Sequence, residues 1–140
     1  MDIWLVDTGP LVAYLDSGEV EHDRASDALD GFNGVLATTA AVVTEVMYFI
    51  SGVHDGAIAV SELISQSGMQ IYGLCEPADV REAATLMQRY ADTPMDFADA
   101  TLVLLAERLA TFDILTLDRR GFNTYRLPSG APFNPVLDIR

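Results

Sequence analysis

Residues 3–12 read Ile3-Trp4-Leu5-Val6-Asp7-Thr8-Gly9-Pro10-Leu11-Val12, and this stretch decides the fold. Four consecutive apolar residues with no polar alternation are the pattern of a strand buried on both faces, as in a parallel sheet covered by helices. The run stops at Asp7. Thr8 or Gly9 can cap a helix there, Pro10 suits its first position, and Leu11, Val12, Tyr14 and Leu15 continue as a helical apolar stripe. A strand thus feeds a helix, with Asp7 at the strand's carboxyl tip.

The same grammar recurs along the chain. Residues 20–32 read as a polar surface helix with Ala25, Ala28 and Leu29 inward, broken at Gly31 to Gly34, and Val35-Leu36-Ala37 reads as a short strand. Thr38 or Thr39 caps the next helix, in which Val42, Val43, Val46, Met47 and Ile50 are apolar and Glu45 lies within the first two turns. His54 to Gln66 is an amphipathic helix, Met69 to Leu74 a strand, and Pro77 to Tyr90 a helix with Val80, Ala84 and Met87 on one face. The strongest helix runs from Asp96 to Ala110, with Thr101, Leu102, Leu104, Leu105 and Leu109 inward. Ile114-Leu115-Thr116-Leu117 follows as a second buried strand, ending on Asp118. The tail from Leu127 to Pro135 reads as irregular or extended. This alternation predicts an α/β fold with a central, mostly parallel sheet, in one domain over residues 1–140.

Composition narrows the chemistry. The 140 residues carry 21 acids against 8 bases, a formal charge of −13, and every base is arginine. The absence of lysine excludes a P-loop, Schiff-base chemistry and serine/lysine dyads. One cysteine, Cys75, with only His22 and His54 beside it, excludes an internal disulfide and a structural zinc site. No apolar run approaches the roughly 20 residues of a membrane span, and residues 1–20 carry acids where a signal peptide carries bases, so the expectation is a cytoplasmic protein without membrane contact.

In open parallel sheets, ligands bind beyond the carboxyl ends of the strands, where strand order reverses. Asp7 and Asp118 both fall at such ends, Glu45 lies near a helix start, and Asp96 and Asp99 share a helix face at three-residue spacing. Four or five acids on one rim repel one another unless a cation joins them. Mg²⁺ and Mn²⁺ suit carboxylate oxygens and keep waters, which leaves room for a phosphate. A metal-activated water can then attack a phosphodiester with no lysine, cysteine or histidine. Each acid also has an ordinary reading: Asp7 and Asp96 as helix caps, Glu45 as a solvated side chain, Asp118 as a turn residue.

Taken in order, Val6-Asp7-Thr8-Gly9-Pro10-Leu11, Thr44-Glu45-Val46, Asp99-Ala100-Thr101-Leu102 and Leu115-Thr116-Leu117-Asp118 resemble the PIN domain, and within it the VapC-type branch. His22-Asp23-Arg24-Ala25 and Asp118-Arg119-Arg120-Gly121-Phe122 extend the resemblance over nearly the whole chain. It implies a three-layer α/β/α sandwich and a metal-dependent endoribonuclease acting on transfer or messenger RNA. It also implies a homodimer, and a toxin paired with an antitoxin. By motif, Asp7, Glu45, Asp99 and Asp118 correspond to the four catalytic acids holding Mg²⁺ or Mn²⁺, and Asp96, one turn before Asp99, to an auxiliary metal carboxylate. Thr8 and Thr116, beside these acids, and Arg119 and Arg120 are candidates for substrate contact.

The charge runs against a broad nucleic-acid binder, which normally presents a basic stripe. Arg119, Arg120 and Arg126 form the one local basic cluster. The acidity also suits a basic antitoxin segment laid across the site. His22 and His54 fall on surface helices away from the acidic rim, and Trp4, Tyr14, Tyr48 and Phe49 have spacings that favour packing over base stacking. Two rival functions follow: a catalytically idle PIN-like module that binds protein or RNA, and a small-molecule phosphatase. The second lacks its Asp-x-Asp nucleophile motif, because Thr8-Gly9 follows Asp7.

Overall fold

The computed structural model describes residues 2–137. A five-stranded, all-parallel sheet runs in the order β3-β2-β1-β4-β5, with β1 at Ile3–Val6, β2 at Val35–Thr39, β3 at Gln70–Tyr72, β4 at Asp113–Leu115 and β5 at Asn134–Pro135. Helices flank it: α1 (Thr8–Leu15), α2 (His22–Gly31), α3 (Ala40–Phe49), α4 (Gly56–Ser67), α5 (Pro77–Arg89), α6 (Phe97–Leu109) and α7 (Arg119–Thr124). The expected α/β architecture is therefore present, with the sheet wholly parallel.

Strand β1 lies in the centre, paired with β2 through Ile3 to Leu5 and with β4 through Leu5 and Val6. From β1 the chain moves outward to β2 and β3, then returns to the other side for β4 and β5. The order thus reverses beside β1, which puts the crevice of an open parallel sheet at the tips of β1 and β4. Leu5, Val6, Ile114 and Leu115 are fully buried, as apolar strands covered on both faces must be. Helix α6 is buried continuously from Ala100 to Ala106, so it is core on nearly every side.

Several local expectations are corrected. Asp7, not Thr8 or Gly9, is the N-cap of α1: its carboxylate accepts from the Thr8 N–H at 2.8 Å, which starts the helix two residues before Pro10. In α5 the inward residues are Asp79, Ala83 and Leu86, one step from the expected face, and Val80 is exposed. The buried Asp79 pairs there with Arg108 of α6, so an ion pair supplies what an apolar stripe was expected to supply. Helix α4 begins at Gly56, and β4 ends at Leu115. Tyr48 and Phe49 stand at 74% and 59% exposure rather than packing inward. The tail contributes an edge strand, β5, held to β4 by the Asn134 and Val136 N–H groups.

Candidate acidic site at the strand tips

The backbone delivers Asp7 first. The Val6 carbonyl accepts from Thr38 Oγ1 at 2.7 Å, and the Asp7 N–H donates to the Leu115 carbonyl at 3.0 Å, so β1 is pinned on both sides up to its last residue. The Asp7 carboxylate, only 7% exposed, accepts from Thr116 Oγ1 at 2.7 Å as well as from Thr8. Thr116 in turn accepts from the Asp118 N–H at 2.9 Å. One buried hydroxyl thereby joins the acids at the tips of the two adjacent strands. Asp118 caps α7, with Oδ1 accepting from the Gly121 N–H at 3.0 Å.

Glu45 arrives from α3, where Thr8 Oγ1 donates to its carboxylate at 2.7 Å. Asp96 and Asp99 form a reciprocal capping box at the start of α6: the Asp99 N–H donates to Asp96 Oδ1 at 2.8 Å and the Asp96 N–H to Asp99 Oδ2 at 3.1 Å. Helices α3 and α6 are registered by a buried threonine pair. Thr101 Oγ1 donates to the Ala98 carbonyl at 2.7 Å, so Thr39 donates to Thr101 across 2.8 Å.

These five acids share one electrostatic neighbourhood. Burial pushes Asp7 up from 3.8 to about 6, with the charges of Asp96 and Asp118 adding to it and the Thr116 and Thr8 hydrogen bonds opposing it. Asp99 is raised to about 8, first by burial and then by the charges of Asp7 and Asp96. Glu45 is raised by burial and by Asp96, with which it shares a hydrogen bond, while Thr8 lowers it. Nearby carboxylates that resist ionising together hold a proton or take a cation.

That oxygen-only donor set fits a hard divalent ion. Among the described residues no three acidic, histidine or cysteine side chains form a ready-made ligand set.

The structure thus brings Asp7, Glu45, Asp96, Asp99 and Asp118 together with Thr8 and Thr116. The arginines are placed differently. Arg119 donates to the Leu137 carbonyl, and Arg126 spends its guanidinium on the carbonyls of Asn123, Thr124 and Tyr125. Arg120 is exposed. His22 is anchored to the Ala13 carbonyl at 2.7 Å, and His54 is exposed. An open apolar groove of about 290 Å³ lies beside Thr8, lined by Val12, Val20, Phe49 and Leu117 among others. Sequence spacing gave no hint of this groove, because Phe49 reads as core. It also missed Tyr125, a fully buried phenol that interacts electrostatically with Asp7, Asp96, Asp99 and Asp118.

Residues 4–127 match the PIN domain family profile. The chain belongs to the PIN-domain family. A PIN relative, ribonuclease VapC26 of Mycobacterium tuberculosis, is 33% identical over 135 residues, covering 94% of this chain and 98% of the relative. The PIN fold is also matched by the crystal structure of Mycobacterium tuberculosis VapC20, described as a sarcin-ricin loop cleaving toxin, with a TM-score of 0.75 at 18% identity over 84% of this chain and 91% of that one. The four acids expected from the PIN motifs lie on the rim where the strand order reverses. No helix among the described residues is long and apolar enough to cross a membrane.

Proposed function

We propose that this PIN protein is a VapC-like endoribonuclease that hydrolyses RNA phosphodiester bonds with the help of Mg²⁺ or Mn²⁺. The observation that carries the reading is the convergence of Asp7, Glu45, Asp96, Asp99 and Asp118 at the β1/β4 switch point, in a chain 33% identical to a ribonuclease over nearly its full length. Asp7, Asp99 and Asp118, with Glu45, would hold the ion, and Asp96 would support Asp99 through the capping box. The ion, when bound, supplies Lewis-acid stabilisation of the scissile phosphate and a water acidic enough to act near neutral pH.

The chain's own groups set the stage for that chemistry. Thr116 holds Asp7 and Asp118 at a fixed separation, and Thr8 orients Glu45 from the first turn of α1. The raised proton affinities of Asp7 and Asp99 mean that protons leave these acids as the ion arrives. Arg120, exposed at the start of α7 two residues after Asp118, would meet an RNA phosphate on this reading.

Partners follow from the same reading: transfer or messenger RNA as substrate, a second copy of the chain in a homodimer, and a cognate antitoxin. The acidic rim and the apolar groove beside Thr8 together suit a basic amphipathic segment.

The test is calorimetric titration of Mn²⁺ into the wild type and Asp7→Asn, followed by cleavage of total RNA. Saturable binding lost in Asp7→Asn, with metal-dependent cleavage lost in the same variant, is the expected result. Metal binding without turnover on any RNA would favour an idle binding module, and no binding at millimolar Mn²⁺ would refute the metal centre.

A further inference from the structure

Helix α7 carries Asp118 as its N-cap and Tyr125 as its C-cap, so a single short helix joins an acid of the rim to a buried phenol. The Tyr125 N–H donates to the Gly121 carbonyl at 2.8 Å, which closes the helix and sends the ring back beneath it. The ring is fully buried, edge-on to Tyr90 and to Phe122, each at 5.2 Å between centroids. Packing alone would be satisfied by phenylalanine.

The hydroxyl has two further neighbours. It donates to the Pro94 carbonyl at 2.6 Å, two residues before Asp96 opens the capping box that holds Asp99. It also stands against Gly121: a Cβ added there would lie 3.0 Å from the Tyr125 oxygen and 2.4 Å from Asp118 Oδ2. The same Gly121 donates its N–H to Asp118 Oδ1. One oxygen therefore abuts the turn that orients Asp118 and grips the turn that delivers Asp96 and Asp99.

We propose that Tyr125 is a positioning residue of the acidic rim, its hydroxyl fixing the distance between Asp118 at the start of α7 and the Asp96/Asp99 pair at the start of α6. A phenol suits this place better than a cationic donor or a carboxyl. Burial and the surrounding acids drive its ionisation well above the usual tyrosine range, so it remains a neutral donor wherever the protein is folded. A cation in its place would pair with the acids directly and compete with any ligand they hold. The ring contacts of Tyr125 reach Tyr90 at the end of α5 and Phe122 of α7, and its hydroxyl is what ties α7 to the Pro94 turn; rings that slide on one another fix spacing less tightly than such a hydrogen bond does.

The proposal rests on the metal-centre reading only for its titration, and a second measurement is independent of any ion. Tyr125→Phe keeps the ring and removes the hydroxyl. Tyr90→Phe is the control, since it removes a hydroxyl of the same cluster whose hydrogen bond, accepted from the Arg126 N–H at 2.9 Å, leads away from the Pro94 turn. The expected result is Mn²⁺ affinity about tenfold weaker in Tyr125→Phe, and unchanged in Tyr90→Phe. Backbone amide resonances of Asp96, Asp99 and Gly121, recorded without metal, should shift together in Tyr125→Phe while those of α2 and α4 stay in place. Wild-type affinity in Tyr125→Phe, or equal weakening in both variants, would overturn the proposal. If the wild type binds no Mn²⁺, the metal centre fails and the amide resonances decide alone: shifts at both the Asp96/Asp99 and Gly121 turns uphold the positioning role, and shifts at one turn only overturn it.

Discussion

Replacing Asp7 by asparagine should abolish metal binding and at the same time make the metal-free protein more stable at pH 8. The carboxylate is 7% exposed, and its proton affinity is raised from 3.8 to about 6. The folded protein thus holds a proton that the unfolded chain has released between these values, so folding stability falls as pH rises through that window. Two pK units correspond to ~3 kcal/mol of strain, absent below pH 4 and fully present above pH 7. Asparagine removes this cost with little change in shape, and also relieves Asp99. It retains an acceptor for the Thr8 N–H but leaves Thr116 without its carboxylate partner, a loss of about 1 kcal/mol. The net gain is about 2 kcal/mol at pH 8, or roughly 6–8 °C in melting temperature for a chain of this size. Calorimetry in EDTA at pH 5 and pH 8 measures it, with the advantage shrinking toward pH 5. Adding Mn²⁺ at pH 8 should raise the wild-type melting temperature and leave the variant unchanged. A variant that melts below the wild type at both pH values would refute the claim that Asp7 is held ionised against its surroundings.

Three further outcomes follow from the same geometry. Mn²⁺ affinity measured by titration should strengthen from pH 6 to pH 8, because Asp7 and Asp99 must release protons to bind; a flat profile would show that neither ligates. Asp99→Asn should reduce RNA cleavage more than Asp96→Asn, and Asp118→Asn should eliminate it with the circular dichroism spectrum intact; the reverse order within α6 would make Asp96 the principal ligand. Arg108→Ala should destabilise the fold by about 2 kcal/mol in urea, since it strands the buried Asp79 carboxylate, while Mn²⁺ affinity stays at the wild-type level.

Much of this was legible in the sequence because strand burial and helix capping are local. Ile3 to Val6 read as a central buried strand, and its Asp7 terminus followed directly. Four acids of the rim were found for the same reason: Asp7, Asp96, Asp99 and Asp118 each stand where a strand or helix starts or stops, while Glu45, in mid-helix, was found by its motif. What stayed hidden depends on distant partners. Asp79 is held by the Glu76 N–H in the α5 capping box, and its burial is matched by Arg108 on another helix, which neutralises it. Phe49 is largely exposed on its helix, which its own spacing cannot reveal. Strand β5 has two residues, one a proline, and forms because β4 offers an open edge to it. Tyr125 reaches Pro94 across 31 positions, and no local pattern encodes such a contact.

The placement of β1 has a consequence for the timing of synthesis. Strand β1 is the middle of the sheet, and its partner β4 is separated from it by more than a hundred positions, as the Thr116 to Asp7 bond records with a separation of 109 residues. A chain still emerging from the ribosome holds β1 with one flank open until β4 clears the exit tunnel, so this pairing of high contact order forms late. Asp7 and Asp118 cannot meet before then. The acidic rim is therefore assembled by the tertiary fold, once β1 and β4 lie side by side, and by no local segment of the chain.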